Sequence, residues 1–586
     1  MDSAHSLTSP HVGTIVSIAE EGARLAAGAP AVIIESMKME HLVSAEESVE
    51  VMSVHVAVGD AVAKDQPLLS IRPIAEREPA RDDAAVPERP AFDEAARRHA
   101  VGLDDARPEA VQKRHATGRR TARENVADLV DDGSFLEFGP LAIAAQRGRR
   151  ELDELIERTP ADGLIGGVAT VNAALFGEAA AKCIVASYDY MVMAGTQGMT
   201  NHRKKDRLFE LAARAELPVL LYTEGGGGRP GDTDVPGVSG LDCLAFALYG
   251  RLAGSVPLIG INAGYCFAGN AALLGSCDVV IATTDSNIGM AGPAMIEGGG
   301  LGTFAPTDIG PAVVHAQNGV IDVLVADEAE ATSAARKVLG FTQGTHATWT
   351  APEPDAARNA VPANRKHVYD IHDAIDAIVD VGSTLELRPQ WNPGLVTTFA
   401  RVEGSPIGII ANNPLHLSGA IDHGGAQKSA DFMTLCDRWA IPIVFLCDTP
   451  GFMVGPESDA EGLPRSAGAL FRIGGNLSVP FGTVITRKGY GLGAQAMAGG
   501  GFKEPAFTVS WPTGEFGPMG LEGAVRLGFS RELAEASEGL EREALFERLL
   551  DTMIEHGGAV NVASHFEIDD VIDPADTRRW ISRLLF

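Results

Sequence analysis

Three groupings of residues in this chain have types and spacings suited to chemistry. The first is Ser36-Met37-Lys38-Met39, which turns the chain between two apolar strands and places the Lys38 amine at the tip of a hairpin. A solvated turn normally carries Gly, Asn or Asp, so a lysine between two methionines is out of keeping with a purely structural bend. The second is a pair of Gly/Ala-rich turns, AGYCFAGNAALLG at 263–275 and KGYGLGAQAMAGG at 488–500, each following a strand-like run and opening into a helix. Small side chains let a ligand approach the backbone, and the first N–H groups of a helix are unpaired donors at its positive end. Two such turns can stabilise two developing oxyanions. The third is a basic cluster, Arg203, Lys204, Lys205 and Arg207 in TNHRKKDRLFELAAR, at a helix start where cations are mildly unfavourable and a phosphate ligand would account for them. Arg119, Arg120 and Arg123 form a second candidate cluster.

The elements that hold these groups repeat. Residues 9–73 contain two similar strand-turn-strand halves, with Gly22 and Gly59, Leu25 and Val62, and Pro30 and Pro67 in register, and Lys38 stands between them. This pattern predicts a small quasi-symmetric β-barrel. Residues 74–92, rich in proline, charge and alanine without apolar period, read as a linker. The remainder repeats at a longer period: Pro218 and Pro442, Pro257 and Pro480, and Gly264 and Gly489 are offset by 224, 223 and 225 positions. Two copies of one domain, 93–350 and 351–586, follow from that offset. Within each, β-branched runs such as PVLLY and PIVFL alternate with helical stretches, which predicts an α/β fold with a largely parallel sheet. Ala268-Gly269 in the first copy corresponds through the repeat to Gly493-Ala494 in the second.

Composition narrows the function classes. Of 586 residues, 48 are Lys or Arg and 78 are Asp or Glu, a formal charge of -30 that repels nucleic acid and anionic membranes, so an anionic ligand needs a local basic patch. No apolar run is long enough for a membrane helix and the first residues have no leader composition, which predicts a cytoplasmic protein. The six cysteines stand singly in apolar stretches, suggesting buried thiols, with no metal site or disulfide framework. Gly489, Gly491 and Ala494 spell a G-x-G-x-x-A, yet no acidic residue closes a second strand about 20 residues later as ribose binding requires. No lysine follows a glycine, so a phosphate-cradling Walker loop is absent and no ATP site is recognisable. His423 in IDHGGAQK reads as a structural histidine more readily than as a base.

On these residues the first module resembles the biotinyl domain of biotin-dependent carboxylases, through SPHVGTIVSI, ESMKMEH and VGDAVAKDQPLLSI. The larger part resembles the carboxyltransferase subunit of acyl-CoA carboxylases, a crotonase-like double domain, through GRRTARENVADLVDDGSF, DTPGFMVGPESDAEGLPR and ITRKGYGLGAQAM. The resemblance implies biotin joined to Lys38, flanked by Met37 and Met39, and an acyl-CoA thioester bound in the first copy. Ala268 and Gly269 would hold the enolate oxygen, and second-copy amides the biotin ureido oxygen. A gapless match to the family favours Leu492 and Gly493 for that second pair, while the internal repeat favours Gly493 and Ala494. Asn270 and Gln495 are candidate pocket-lining residues, and Arg203, Lys204, Lys205, Arg207, Arg119 and Arg123 candidates for CoA phosphate. ATP and bicarbonate would be used by a separate biotin carboxylase subunit, a biotin protein ligase would modify Lys38, and the assembly would be a hexamer, a dimer of trimers. The alternatives are a transcarboxylase or decarboxylase subunit, or a non-catalytic carrier or scaffold.

Overall fold

The computed structural model describes residues 5–75, 89–229, 231–234 and 241–586. The chain divides into two compact units, Met1–Asp93 and Glu94–Phe586. Residues 76–88 of the expected linker lie outside the described residues, and its last three open the helix Pro90–Val101.

The first unit is a barrel of eight strands in two four-stranded sheets. It begins with His5–Thr8, ahead of the expected start at residue 9, because this strand pairs antiparallel with Pro67–Pro73. The half-repeats fall on equivalent elements: Arg24–Leu25 and Ala61–Val62, then Pro30–Ser36 and Pro67–Pro73. Gly22 and Gly59, in register, both take positive φ, 85° and 94°, ahead of the short strands. Ile15, Val32, Ile34, Val49, Val51 and Leu69 fill the interior, as the two-residue period of the strands requires.

The second unit contains two sheets of like topology. In the first copy seven strands run in the order Val323–Val325, Val279–Thr283, Leu258–Asn262, Val219–Tyr222, Lys182–Tyr188, Leu164–Thr170, Leu136–Glu137. The five from Lys182–Tyr188 outward are mutually parallel and the last two antiparallel. The second copy repeats this with Ser405–Asn412, Ile443–Thr449, Phe481–Tyr490, Phe507–Ser510 and Asp570–Val571 parallel, after the antiparallel hairpin with Leu395–Val402. The helices Met199–Ala215 and His423–Arg438 begin 224 positions apart. Strands buried on both faces explain the unbroken apolar runs that replace alternation in the sequence. One apolar cluster joins the copies, with Leu220 and Ile259 of the first continuous with Phe399 and Phe445 of the second. Among the described residues no helix is long and apolar enough to cross a membrane.

Candidate functional site

The hairpin tip is built on strained backbone. Ser36 pairs with Met39, leaving Met37 and Lys38 as the two central residues, with φ of 52° and 67°. Two consecutive positive φ angles define the tight turn that matches strand twist, and Asn-Gly is its usual sequence. Here two long side chains accept the left-handed conformation, which costs of order 1 kcal/mol each. Met37 is 96% exposed and Met39 67%, so neither serves the core. Lys38 is exposed and makes no hydrogen bond or ion pair among the described residues. An amine held out on a rigid turn, with no partner to displace, fits a lysine that carries a covalently attached group.

The two Gly/Ala-rich turns share one construction. In the first copy the strand Val219–Tyr222 runs into Gly225–Gly228, and these glycines lie against the start of the helix Gly269–Leu274. A Cβ on Gly227 would lie 2.8 Å from Ala268 Cβ. In the second copy the strand Ile443–Thr449 runs into Gly451, and a Cβ on Gly493 would lie 2.7 Å from Gly451 Cα and 3.2 Å from the Phe452 nitrogen. Glycine thus lets the two segments touch in both copies, against a side chain in the first and backbone against backbone in the second. The framing bonds repeat: the Gln197 amide donates to Gly227 O (2.7 Å) and the Arg229 amide to Gln197 O (2.9 Å), while Ile421 donates to Gly451 O (3.0 Å) and accepts from Met453 (2.9 Å).

The donors at the first turn are not the expected pair. The Ala268 amide donates to Gly289 O at 2.9 Å and is spent, because Ala268 takes φ 51° as helix cap and turns its N–H toward the 287–289 strand. The Gly269 and Asn270 amides, in the first helical turn, have no acceptor in the helical ladder. At the second turn the amides of Leu492, Gly493 and Ala494 occupy the equivalent turn of the helix Gly491–Ala496, and Gly493 belongs to both expected pairs. Leu492 points its side chain to the exterior, while Gly493 and Ala494 are buried.

The polar residues beside the turns separate into two kinds. Asn270 is fully buried: its Oδ1 accepts from the Gly227 amide at 3.1 Å, and its Nδ2 donates to Thr223 O at 3.2 Å and Gly195 O at 3.4 Å. It is a brace between three segments, which corrects the expectation that its side chain lines a pocket. Gln495 is exposed and lines a cavity of about 700 Å³ with Gly489, Gly491, Ala494, Phe516 and Met553. Behind each turn stands a buried acid at equivalent positions. Glu224 accepts both guanidinium nitrogens of Arg114, at 2.9 and 2.5 Å, and burial raises its carboxyl above the usual range against that arginine's pull. Asp448 accepts from Arg487 Nε at 3.0 Å and the Lys488 amide at 3.2 Å.

The basic cluster at 203–207 is split by the helix. Lys204 and Lys205 face inward with Asn201, Leu208, Phe209 and Ala212, and only Arg203 and Arg207, one turn apart, are exposed. Lys204 Nζ donates to the carbonyls of Ala161 (3.1 Å) and Leu164, and Lys205 Nζ donates to Tyr188 Oη at 2.9 Å. Burial pulls Lys204 down to about 8 and Lys205 to about 7. Neither can meet a CoA phosphate, which corrects two of the expected contacts. Lys428, 224 positions after Lys204, is buried in the same way and donates to Arg388 O at 2.9 Å. The other cluster is internally neutralised: Arg119 with Asp285 (2.8 Å), Arg120 with Asp128 (2.7 Å), and Arg123 with Glu137 (3.1 Å) and Gly102 O (2.6 Å). Arg119 and Arg123 are thus each paired with a carboxylate in this structure. His423 meets Ser466 Oγ at 3.2 Å across the helix pair of the second copy.

Comparison with known proteins accounts for both units. Residues 113–585 match the carboxyl transferase domain family and residues 5–71 the biotin-requiring enzyme family. The chain belongs to the carboxyl transferase family. It is a carboxyltransferase chain carrying its own biotin carrier domain, and Lys38 lies within the residues that match the biotin-requiring family. It is 33% identical to the methylmalonyl-CoA carboxyltransferase 12S subunit of Propionibacterium freudenreichii subsp. shermanii, over 81% of this chain and 90% of that one. The solved transcarboxylase 12S hexamer with methylmalonyl-CoA bound is 30% identical, with a TM-score of 0.73, covering 86% of this chain and 95% of that one. A single-chain, multi-domain long-chain acyl-CoA carboxylase is 53% identical, with a TM-score of 0.82, over 99% of this carboxyltransferase chain. This chain spans 56% of the length of that enzyme.

Proposed function

We propose that this carboxyltransferase serves an acyl-CoA carboxylase that acts on long-chain acyl-CoA, adding a carboxyl group at the α-carbon through an enolate. The observation that carries the reading is the 53% identity to a long-chain acyl-CoA carboxylase, extending across the carrier and both copies. Biotin, once attached to Lys38, supplies a ureido nitrogen that holds and gives up the carboxyl group.

The chain's own residues have four tasks. Lys38 presents its amine on a stiff turn that Met37 and Met39 leave uncovered. The Gly269 and Asn270 amides donate to the thioester oxygen as it gains charge, and Gly493 with Leu492 or Ala494 donates to the ureido oxygen. At both turns the donors are main-chain amides, and biotin, when bound, would itself supply a nitrogen able to take up the α-proton. Arg203 and Arg207, exposed on the first-copy helix, contact the CoA phosphates. A biotin carboxylase using ATP and bicarbonate charges the carrier, a biotin protein ligase modifies Lys38, and the chain assembles as a hexamer in the cytoplasm.

The 33% identity to a methylmalonyl-CoA carboxyltransferase subunit favours a second reading, carboxyl transfer between thioester and another acceptor without ATP. One experiment separates the readings. Intact mass should show the biotin increment, lost in Lys38→Ala. With a biotin carboxylase present, carboxylation across an acyl-CoA chain-length panel should require ATP and bicarbonate and be greatest for long chains. Turnover without ATP supports transcarboxylation, and carboxylation by Lys38→Ala with no other carrier overturns the assignment.

A further inference from the structure

Gln197, in the first-copy frame, carries a buried side-chain donor, Nε2, with no acceptor among the described residues. Its backbone is bonded on both sides, to Gly227 and Arg229, so the position itself is fixed. Its side chain reaches to Gly269: a Cβ there would lie 3.0 Å from Gln197 Oε1 and 3.2 Å from Cδ. The residue is 4% exposed, yet Nε2 has no acceptor among the described residues. A buried amide hydrogen left unpaired is costly, and natural structures retain one where a ligand supplies the missing acceptor.

The surroundings point the same way. The buried Tyr188 ring carries its hydroxyl toward the Gln197 side chain, and that hydroxyl accepts from Lys205 Nζ at 2.9 Å. With the oxygen engaged by Lys205 Nζ, the phenol proton is directed away from Lys205. Lys205, Tyr188 and Gln197 thus form a polar file ending at the turn where Gly269 and Asn270 offer their amides. The second copy supplies a control within the molecule. Ile421, 224 positions on, has the same two backbone bonds but an apolar side chain, and the positions of Tyr188 and Lys205 are taken by Asn412 and Ser429. The frame therefore needs no polar side chain here, and the first copy has one for another purpose.

We propose that Gln197 is a substrate-contacting residue whose carboxamide donates to the thioester oxygen of the acyl-CoA bound at the first-copy turn, and that Tyr188, held by Lys205, keeps the carboxamide aimed there. The inference rests on acyl thioester binding in the first copy. Side-chain amides serve this role wherever charge develops on an oxygen, because a fixed donor pays no reorganisation at the moment of reaction. Asn270 cannot fill it, being committed to three backbone groups.

The test is carboxyl transfer from a long-chain α-carboxyacyl-CoA to free biotin by the full biotinylated chain. Gln197→Leu should lower kcat by about 100-fold with KM for the α-carboxyacyl-CoA changed less than about threefold. Gln197→Glu, the same shape with an acceptor in place of the donor, should fall at least as far. Tyr188→Phe should cost about tenfold and add nothing in the Gln197→Leu background, since a positioning residue has no effect once the group it positions is gone. Thermal melting reports whether each variant is folded, and where Gln197→Leu is not, Gln197→Glu and Tyr188→Phe decide. Active wild type with kcat within threefold of Gln197→Leu or Gln197→Glu overturns the proposal, and additive losses overturn the role of Tyr188. Inactive wild type instead overturns the functional reading on which it rests.

Discussion

At the first-copy turn Gly225–Gly228 meets Ala268–Asn270 through side chains, with Asn270 bracing three segments; at the second, Gly451 meets Gly493 backbone to backbone. Both present helix-start amides beside a buried, arginine-paired acid, Glu224 in one and Asp448 in the other. The frame is common and the filling is not. A duplicated backbone bond pattern preserves where donors stand, while side chains at equivalent positions are free to diverge, Gln197 against Ile421 and Asn270 against Ala494 or Gln495. The difference teaches that one fold can set two groups of helix-start amides in unlike surroundings by changing only what lies behind them.

The contrast is broken most severely at glycine. Gly493→Ala forces a methyl to 2.7 Å from Gly451 Cα, where no side chain can yield. Transfer to free biotin should fall about 100-fold, since displacing the loop by a fraction of an ångström misaligns both donors. Gly269→Ala meets the movable end of Gln197 and the Phe246 ring, 3.0 and 3.2 Å away, and should cost about tenfold in the same assay. Equal losses would show that the two contacts are alike.

Asn270→Ala leaves the Gly227 amide without its Asn270 acceptor and two buried carbonyls without its donors. Chemical denaturation should show a loss of about 2–3 kcal/mol. The second copy has no such brace, so Gln495→Ala should be neutral within about 0.5 kcal/mol.

Lys204 and Lys428 test where the copies agree. Burial lowers each from 10.5 to about 8. Between those values the unfolded chain holds a proton that the folded chain has released, so their contribution to stability is full above about 10.5 and is lost as pH falls through about 8. Lys204→Met and Lys428→Met should each flatten the rise of the melting temperature across that window, by equivalent amounts of order 1–3 kcal/mol. Unequal flattening would show that the two buried lysines are not counterparts.

The smallest effect is at the surface. Arg203 and Arg207 correspond to Gln427 and Asp431, so only the first copy offers an exposed cationic face at this place. Arg203→Glu and Arg207→Glu should raise the acyl-CoA KM about fivefold without altering the melting temperature, as expected for exposed charge. An unchanged KM in both would remove the phosphate contact.

The duplication, the barrel half-repeats and the Lys38 hairpin were all legible in the sequence, because each is a matter of local composition and fixed spacing. Reading 203–207 as one basic cluster misjudged the helix: the apolar residues Leu208, Phe209 and Ala212 already place Lys204 and Lys205 on the inner face by period alone. Gln197 could have been found by setting it against Ile421 at the same offset, where a polar residue opposes an apolar one.

By itself the sequence determined which segments turn, where the copies match and which lysine stands at a tip, since backbone geometry follows from glycine, proline and apolar period. Only the tertiary structure decided which donors are free. The Ala268 amide is spent on Gly289, Asn270 on Gly195 and Thr223, and Arg123 on Glu137, while Gln197 Nε2 is left over. Several of those partners are tens of residues away, and whether a hydrogen bond is made depends on three-dimensional proximity that no spacing along the chain encodes.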